Sequence, residues 1–213
     1  MSLWGRIFAS LYDTSMAGSE RTCLGEHRRE LLAGASGDVL EIGAGTGANL
    51  AHYPGSIALV LTEPEAPMAH RLERKLARSG RSASVVRAPA EELPFEDASF
   101  DHVVATLALC TVTDPARALS EIHRVLRPGG RLLFMEHVRS SDPRLARWQD
   151  RLSGAWTYVG HGCNCNRQTL DAIEGAHFSV TALKREPLPG WPPIVGPLIV
   201  GTAEAAASPS AGL

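Results

Sequence analysis

The chain lacks any run near the roughly 18 consecutive apolar residues that a membrane-spanning helix needs, so none is expected. Its first residues lack a basic region followed by a long apolar core, so a secretory signal is not expected either, and the cytoplasm is the simplest location. Cysteine is scarce: Cys23, Cys110, Cys163 and Cys165 are too few for a disulfide scaffold in 213 residues. A chain this long can bury roughly 70% of its unfolded surface and needs no disulfide or metal staple. Excess charge is missing as well. Twenty-one Lys and Arg face 23 Asp and Glu, a net charge of -2, and this leaves no electrostatic footprint for nucleic acid. The short run His27-Arg28-Arg29 is followed by Glu30 and reads as a solvated helix face. No internal repeat is present.

What is there is an alternation. Leu3, Trp4, Ile7, Phe8, Leu11 and Tyr12 recur at helical spacing. A second helix is expected from Glu20 to Ala33, ended by Gly34, so residues 1–36 form a helical cap. This cap packs over the domain, and its amphipathic face also fits a lid or a peripheral membrane contact. Strand patterns follow at Asp38–Ile42, Ile57–Thr62, Ser84–Arg87, Phe100–Leu107 and Arg131–Val138. Helical ones lie at Asn49–Tyr53, Glu65–Ser79, Pro115–Leu126 and Pro143–Trp156. Pro128-Gly129-Gly130 is read as the stop of the helix before it. Repeated β–α units argue for a parallel sheet with helices on both faces. After a helix at Arg167–Glu174, strands at Phe178–Arg185 and Ile194–Thr202 are joined only by a Pro- and Gly-rich loop, which makes them antiparallel. The domain is taken as residues 37–202, and 203–213, rich in Ala and Ser, as a disordered tail.

The first strand runs into Gly43-Ala44-Gly45-Thr46-Gly47. A glycine turn at the carboxyl end of a parallel strand is where open α/β sheets bind ligands. With Ala48 it also fits the looser dinucleotide pattern, so an NAD-linked reductase stays open on the glycines alone. Three features favour S-adenosylmethionine (SAM). Glu41 would repel a pyrophosphate but suits the cationic amino-acid end of SAM, directly or through water. Glu63, ending the second strand, can take both hydroxyls of a ribose. The segment from Ala90 to Phe95 can lie along an adenine.

These residues carry a resemblance. Val39 to Gly47, Glu91-Glu92-Leu93-Pro94-Phe95 through Phe100-Asp101, and Leu126-Arg127-Pro128-Gly129-Gly130 resemble the type 11 class I SAM-dependent methyltransferases. A narrower likeness is to the methyltransferase-like alkyl thiol S-methyltransferases. It is carried by Gly45-Thr46-Gly47-Ala48-Asn49-Leu50, Tyr53-Pro54, Leu107-Ala108-Leu109-Cys110, Met135-Glu136-His137-Val138, His161-Gly162-Cys163 with Arg167, and Pro192 to Gly201. The resemblance implies an α/β Rossmann-like fold with a seven-stranded, mostly parallel sheet whose last strand is antiparallel. It implies SAM as cofactor and a small molecule, a thiol above all, as acceptor. The cofactor set it implies is Glu41, Gly43, Ala44, Gly45, Gly47, Asn49, Glu63, Pro64, Met68, Ala90, Glu91, Thr106 and Leu107. Two departures stand out. Those relatives carry a long apolar N-terminal anchor, where the sequence given is expected to offer only a short amphipathic segment. Pro89 stands where many of these enzymes place an acid for the adenine amino group, and it offers neither an acceptor side chain nor an N–H.

On the acceptor side, Tyr12, Cys110 and Cys163 are candidate substrate contacts, and His137 and His161 candidate bases or orienting groups. His161-Gly162-Cys163-Asn164-Cys165 lacks zinc-site spacing and a second cysteine pair, so no metal is expected. N- or O-methylation of a lipid, quinone or secondary metabolite is the alternative within the class. A SAM-binding scaffold without turnover is a further one.

Overall fold

The computed structural model describes residues 3–206 of the chain. Its strands are β1 (Asp38–Ile42), β2 (Ala58–Thr62), β3 (Ala83–Val86), β4 (Phe100–Thr106), β5 (Leu126–His137), β6 (Phe178–Pro187) and β7 (Pro197–Ala205). They form one sheet in the order β3-β2-β1-β4-β5-β7-β6. The first five are parallel, whereas β7 runs antiparallel to both of its neighbours. The helices are α1 (Leu3–Ser19), α2 (Gly25–Leu32), α3 (Ala66–Ser79), α4 (Pro115–Val125), α5 (Pro143–Val159) and α6 (Thr169–Gly175).

The apolar runs explain the layering. A parallel strand covered on both faces has no polar side to show. On β1, Leu40 and Ile42 pack with Leu119, Ile122 and Val125 of α4 and Ile173 of α6. Val39 faces the other way, toward Leu32 of α2, Leu72 of α3 and Leu59 and Leu61 of β2. A third cluster joins Met16 and Leu24 of the N-terminal helices to Met135, Leu198 and Val200 of β5 and β7. Among the described residues no helix is long and apolar enough to cross a membrane.

Several boundaries differ from the sequence reading, and four of the differences shape the site and its surroundings. The two N-terminal helices are one continuous run: α1 passes through a π-helical turn, Glu20–Leu24, into α2. Gly25 permits this, because a Cβ there would lie 2.4 Å from the carbonyl oxygen of Glu20. The expected helix at Asn49–Tyr53 is a single 3-10 turn, Ala48–Ala51, cut short ahead of Pro54. Helix α4 ends at Val125, and Leu126 already pairs with Phe100, so Pro128-Gly129-Gly130 lies inside β5 at a register shift. Finally, β7 continues through Ala203 to Ala205, with both alanines buried against the core and Glu204 outward. The expected tail therefore does not begin at 203, and residues 207–213 of it lie outside the described residues.

Candidate active site

The turn after β1 is built on left-handed backbone, with φ of 58° at Gly43, 57° at Gly45 and 81° at Gly47. A Cβ on Gly43 would sit 2.9 Å from that of Ala108, so glycine lets the turn press against the loop after β4. A Cβ on Gly45 would meet only the Gly43 carbonyl, 4.0 Å away, so this side of the turn is open to a ligand. The Ala44 N–H donates to the Thr62 carbonyl (2.9 Å) and fastens the turn to β2. Glu63 follows at the tip of β2. Its carboxylate accepts from the N–H of Gly45 and of Glu65, both at 2.8 Å, and burial raises its pKa. Met68 is buried in the first turn of α3, and Pro64 is exposed, its carbonyl accepting from Arg87.

Behind the turn lies a buried polar network. Glu41 on β1 is 2% exposed. One oxygen accepts from Asn49 Nδ2 (2.9 Å) and the other from the Tyr53 hydroxyl (2.8 Å). Both oxygens are thus bonded within the protein, and Glu41 braces the turn from behind. Burial pushes its pKa up to about 7, against the lowering effect of Tyr53, Arg28 and Asn49. Asn49, fully buried, also bonds Thr106 Oγ1 (2.9 Å) at the end of β4.

At the centre stands Arg28, which corrects the reading of the basic run as a solvated face. It is 2% exposed. Its guanidinium donates to Asn49 Oδ1 (2.7 Å), Thr106 Oγ1 (2.8 Å) and the Glu20 carboxylate (3.0 Å). The sequence did hold a signal: Leu24, Arg28 and Leu32 are four apart, so Arg28 shares the buried face of two leucines. Neighbouring Arg29 is the exposed one.

The loop after β4 is held from below by Glu136, which the sequence carried only within Met135-Glu136-His137-Val138. Fully buried on β5, it accepts from the N–H groups of Ala108 (3.0 Å), Leu109 (2.8 Å) and Cys110 (3.0 Å). Burial still lifts its pKa to about 7. Leu107 (φ 57°) bonds the Met135 carbonyl and exposes its turn to the site. His137, next on β5, is 8% exposed and packed against the backbone of Val195 and Pro197. Burial lowers its pKa to about 4, so the expected base is a poor proton acceptor near neutral pH.

Helix α1 closes over these elements. Asp13 accepts a bond from Thr46 Oγ1 in the glycine turn (2.5 Å), and Ser10 accepts one from Arg71 of α3. Phe8 stacks on His161 with centroids 4.7 Å apart, and His161 Nε2 lies 3.4 Å from Glu65 beside the β2 tip. Tyr12 packs on Phe8, its pKa raised to about 12 chiefly by burial. His161, Tyr12, Cys110 and Cys163 thus converge, whereas His137 sits apart in the β5–β7 packing. On the far side, Ala90 is buried in the core. The Glu91 carboxylate accepts from the N–H groups of Thr113 and Asp114 just before α4. No cluster of three or more potential metal ligands occurs among the described residues.

This geometry sets a buried carboxylate, Glu63, at a strand tip beside a glycine turn whose Gly45 side is open. Residues 40–134 match the methyltransferase domain family. The chain is 41% identical to human thiol S-methyltransferase TMT1B, over 81% of this chain and 73% of that one. It is 35% identical to human TMT1A, over 92% and 82%. In fold it is similar to the Burkholderia thailandensis 1,6-didemethyltoxoflavin-N1-methyltransferase solved with S-adenosylhomocysteine. That match has a TM-score of 0.66 and 19% identity, covering 96% of this chain and 88% of that one.

Proposed function

The chain belongs to the SAM-dependent methyltransferase family of the thiol S-methyltransferases, and on that footing we propose that its acceptor is the sulfur of a small-molecule thiol. One observation carries the acceptor class. The methyltransferase domain match ends at residue 134, yet the likeness to TMT1A spans 202 residues. The likeness therefore runs on into the loops that bring His161 and Cys163 to the site.

The residues fit the cofactor. Glu63 takes the ribose hydroxyls, exchanging one or both of its amide partners for them. The open side of Gly45 receives the amino-acid end, with Arg28 the cation behind it. Met68, Pro64, Ala90 and Leu107 enclose the base and the rest of the nucleoside. When bound, SAM supplies a methyl group already activated on a sulfonium.

What remains for the protein is alignment and dryness. Holding two reactants in line can supply roughly 7–11 kcal/mol of a barrier. Tyr12, Cys110 and Cys163 form the acceptor wall, and Glu136 fixes the backbone that carries Cys110. Helix α1, fastened through Asp13, Ser10 and Phe8, keeps water out. A strong base is not required, since a thiol of pKa near 8.5 is a few per cent ionised at neutral pH. His161 orients the acceptor through its fixed place between Phe8 and Glu65.

Mass spectrometry after incubation with SAM and a panel of thiols, amines and phenols tests the proposal. Thioether and S-adenosylhomocysteine should appear in equal amounts with thiols. Product from amines or phenols alone would overturn the thiol assignment.

A further inference from the structure

Helix α3 carries a cationic stripe. Arg71, Arg74, Lys75 and Arg78 stand at i, i+3, i+4 and i+7, so they share one face of the helix. Each has like charges three or four residues away, a spacing that weakens a helix rather than supports it. None of the four makes an ion pair among the described residues, although the chain holds 23 acidic groups against 21 basic ones. Arg71 is half-buried and donates to the Ser10 hydroxyl of α1 (3.1 Å), and the other three are exposed.

The stripe lines a groove of about 560 Å³ that it shares with Asp13 of α1, Thr46 of the glycine turn and Ser79. Every residue of that lining is charged or carries a hydroxyl. Small-molecule pockets ordinarily have mostly apolar walls. This groove offers no apolar side chain to an acyl chain and no aromatic ring on which a base could stack. Its single carboxylate, Asp13, already accepts from Thr46 Oγ1, so four cations face one engaged acid. Such a wall suits an anion, and guanidinium groups match phosphate oxygens with paired N–H donors. From Arg71 to Arg78 the helix advances about 10 Å, which leaves room for more than one phosphate group.

We infer that this groove binds a small molecule carrying two or more linked phosphate groups. Arg74, Lys75 and Arg78 take the phosphate oxygens, and Arg71 joins them from its place against Ser10. The bound anion relieves the like-charge repulsion along α3 and ties that helix to the one covering the site. The inference uses no part of the methyl-transfer reading, since Glu63 lies outside the groove.

The test is calorimetry of the native chain with inorganic diphosphate and with orthophosphate, in about 0.15 M NaCl, where charges more than about 8 Å apart are largely screened. Arg74→Gln combined with Arg78→Gln removes half of the stripe. Arg144→Gln combined with Arg147→Gln removes two exposed arginines of α5, outside the groove, as a control. The native chain should bind one diphosphate saturably, about tenfold tighter than orthophosphate, and its Tm should rise with diphosphate concentration. Saturating SAM should leave that binding in place. The α3 variant should lose at least tenfold in diphosphate affinity and, without ligand, melt no lower than the native chain. The α5 variant should bind as the native chain does. Four results overturn the inference: no saturable binding by the native chain, equal weakening in both variants, displacement of diphosphate by SAM, or a ligand-free α3 variant less stable than the native chain. If diphosphate fails to bind while phosphatidylglycerol vesicles capture the native chain and not the α3 variant, the stripe is a membrane contact and the inference falls.

Discussion

Replacing Arg28 by methionine tests the network beneath the glycine turn. The substitution keeps much of the aliphatic stem and removes the guanidinium. Asn49 Oδ1, fully buried, then loses the donor at 2.7 Å, and an unsatisfied buried acceptor costs about 1–3 kcal/mol. Breaking a fully buried ion pair costs about 3–5 kcal/mol. Here the Glu20 side chain is 26% exposed and can rehydrate, so only part of that applies. Relief of guanidinium desolvation offsets some of the remainder. The net expectation is a loss of about 2–4 kcal/mol, which in a chain of this size lowers Tm by about 4–16 °C. Arg29→Met is the control. Its side chain is 66% exposed and pairs only with Glu26, so its effect should stay within about 0.5 kcal/mol. Urea unfolding at pH 7 and thermal melts read both variants, and calorimetry with SAM reads the cofactor end, where Arg28→Met should weaken binding at least tenfold. Equal stability of the two variants would refute the reasoning, because Arg28 would then behave as the surface charge its sequence neighbours suggest.

Glu63→Ala should weaken SAM binding at least tenfold with little change in Tm, and unchanged affinity in calorimetry would remove Glu63 from the ribose role. Glu41 carries a pH signature. Its folded pKa of about 7 lies above the unfolded carboxyl value, so its contribution is fully present below about pH 4.3 and is lost as pH rises through 7. Glu41→Gln should flatten the fall in stability between pH 5 and 8, and parallel profiles for the two chains would contradict this. His161→Ala should lower turnover more than SAM affinity and quicken proteolysis within α1, since Phe8 loses its stacking partner. Undisturbed methylation would detach His161 from the acceptor side.

Much of this architecture was readable because buried parallel strands write themselves as apolar runs. Strand β1 was delimited to the residue, and Ile57–Thr62 needed one residue trimmed. The misreadings share a cause, which is that a local pattern was resolved by distant contacts. Pro128-Gly129-Gly130 is a stop signal by composition, yet the pairing of β5 with β4 carries the strand through it. Ala203 to Ala205 has the composition of a tail, but small side chains suit the last turns of packing against Phe178 and α4. Charge counts say nothing of direction, so Arg28 and Arg29 looked alike while one is sealed inside and the other solvated. Glu136 and His137 are adjacent in one strand pattern and in one resemblance segment. Only the positions of three backbone N–H groups distinguish the anchor from its neighbour.

The π-helical turn at Glu20–Leu24 gives the N-terminal helix a phase as well as a path. An i→i+5 turn accommodates one residue more than α-helical winding would, and each residue of an α-helix advances about 100° around the axis. Winding all the residues from Glu20 to Leu24 as regular α-helix would swing everything beyond them by that angle. Arg28 would rotate out of the interior, and a neighbour would be carried in. The insertion acts as a vernier between the part of the helix that covers the site and the part that anchors it, so the two can face different ways along one unbroken rod.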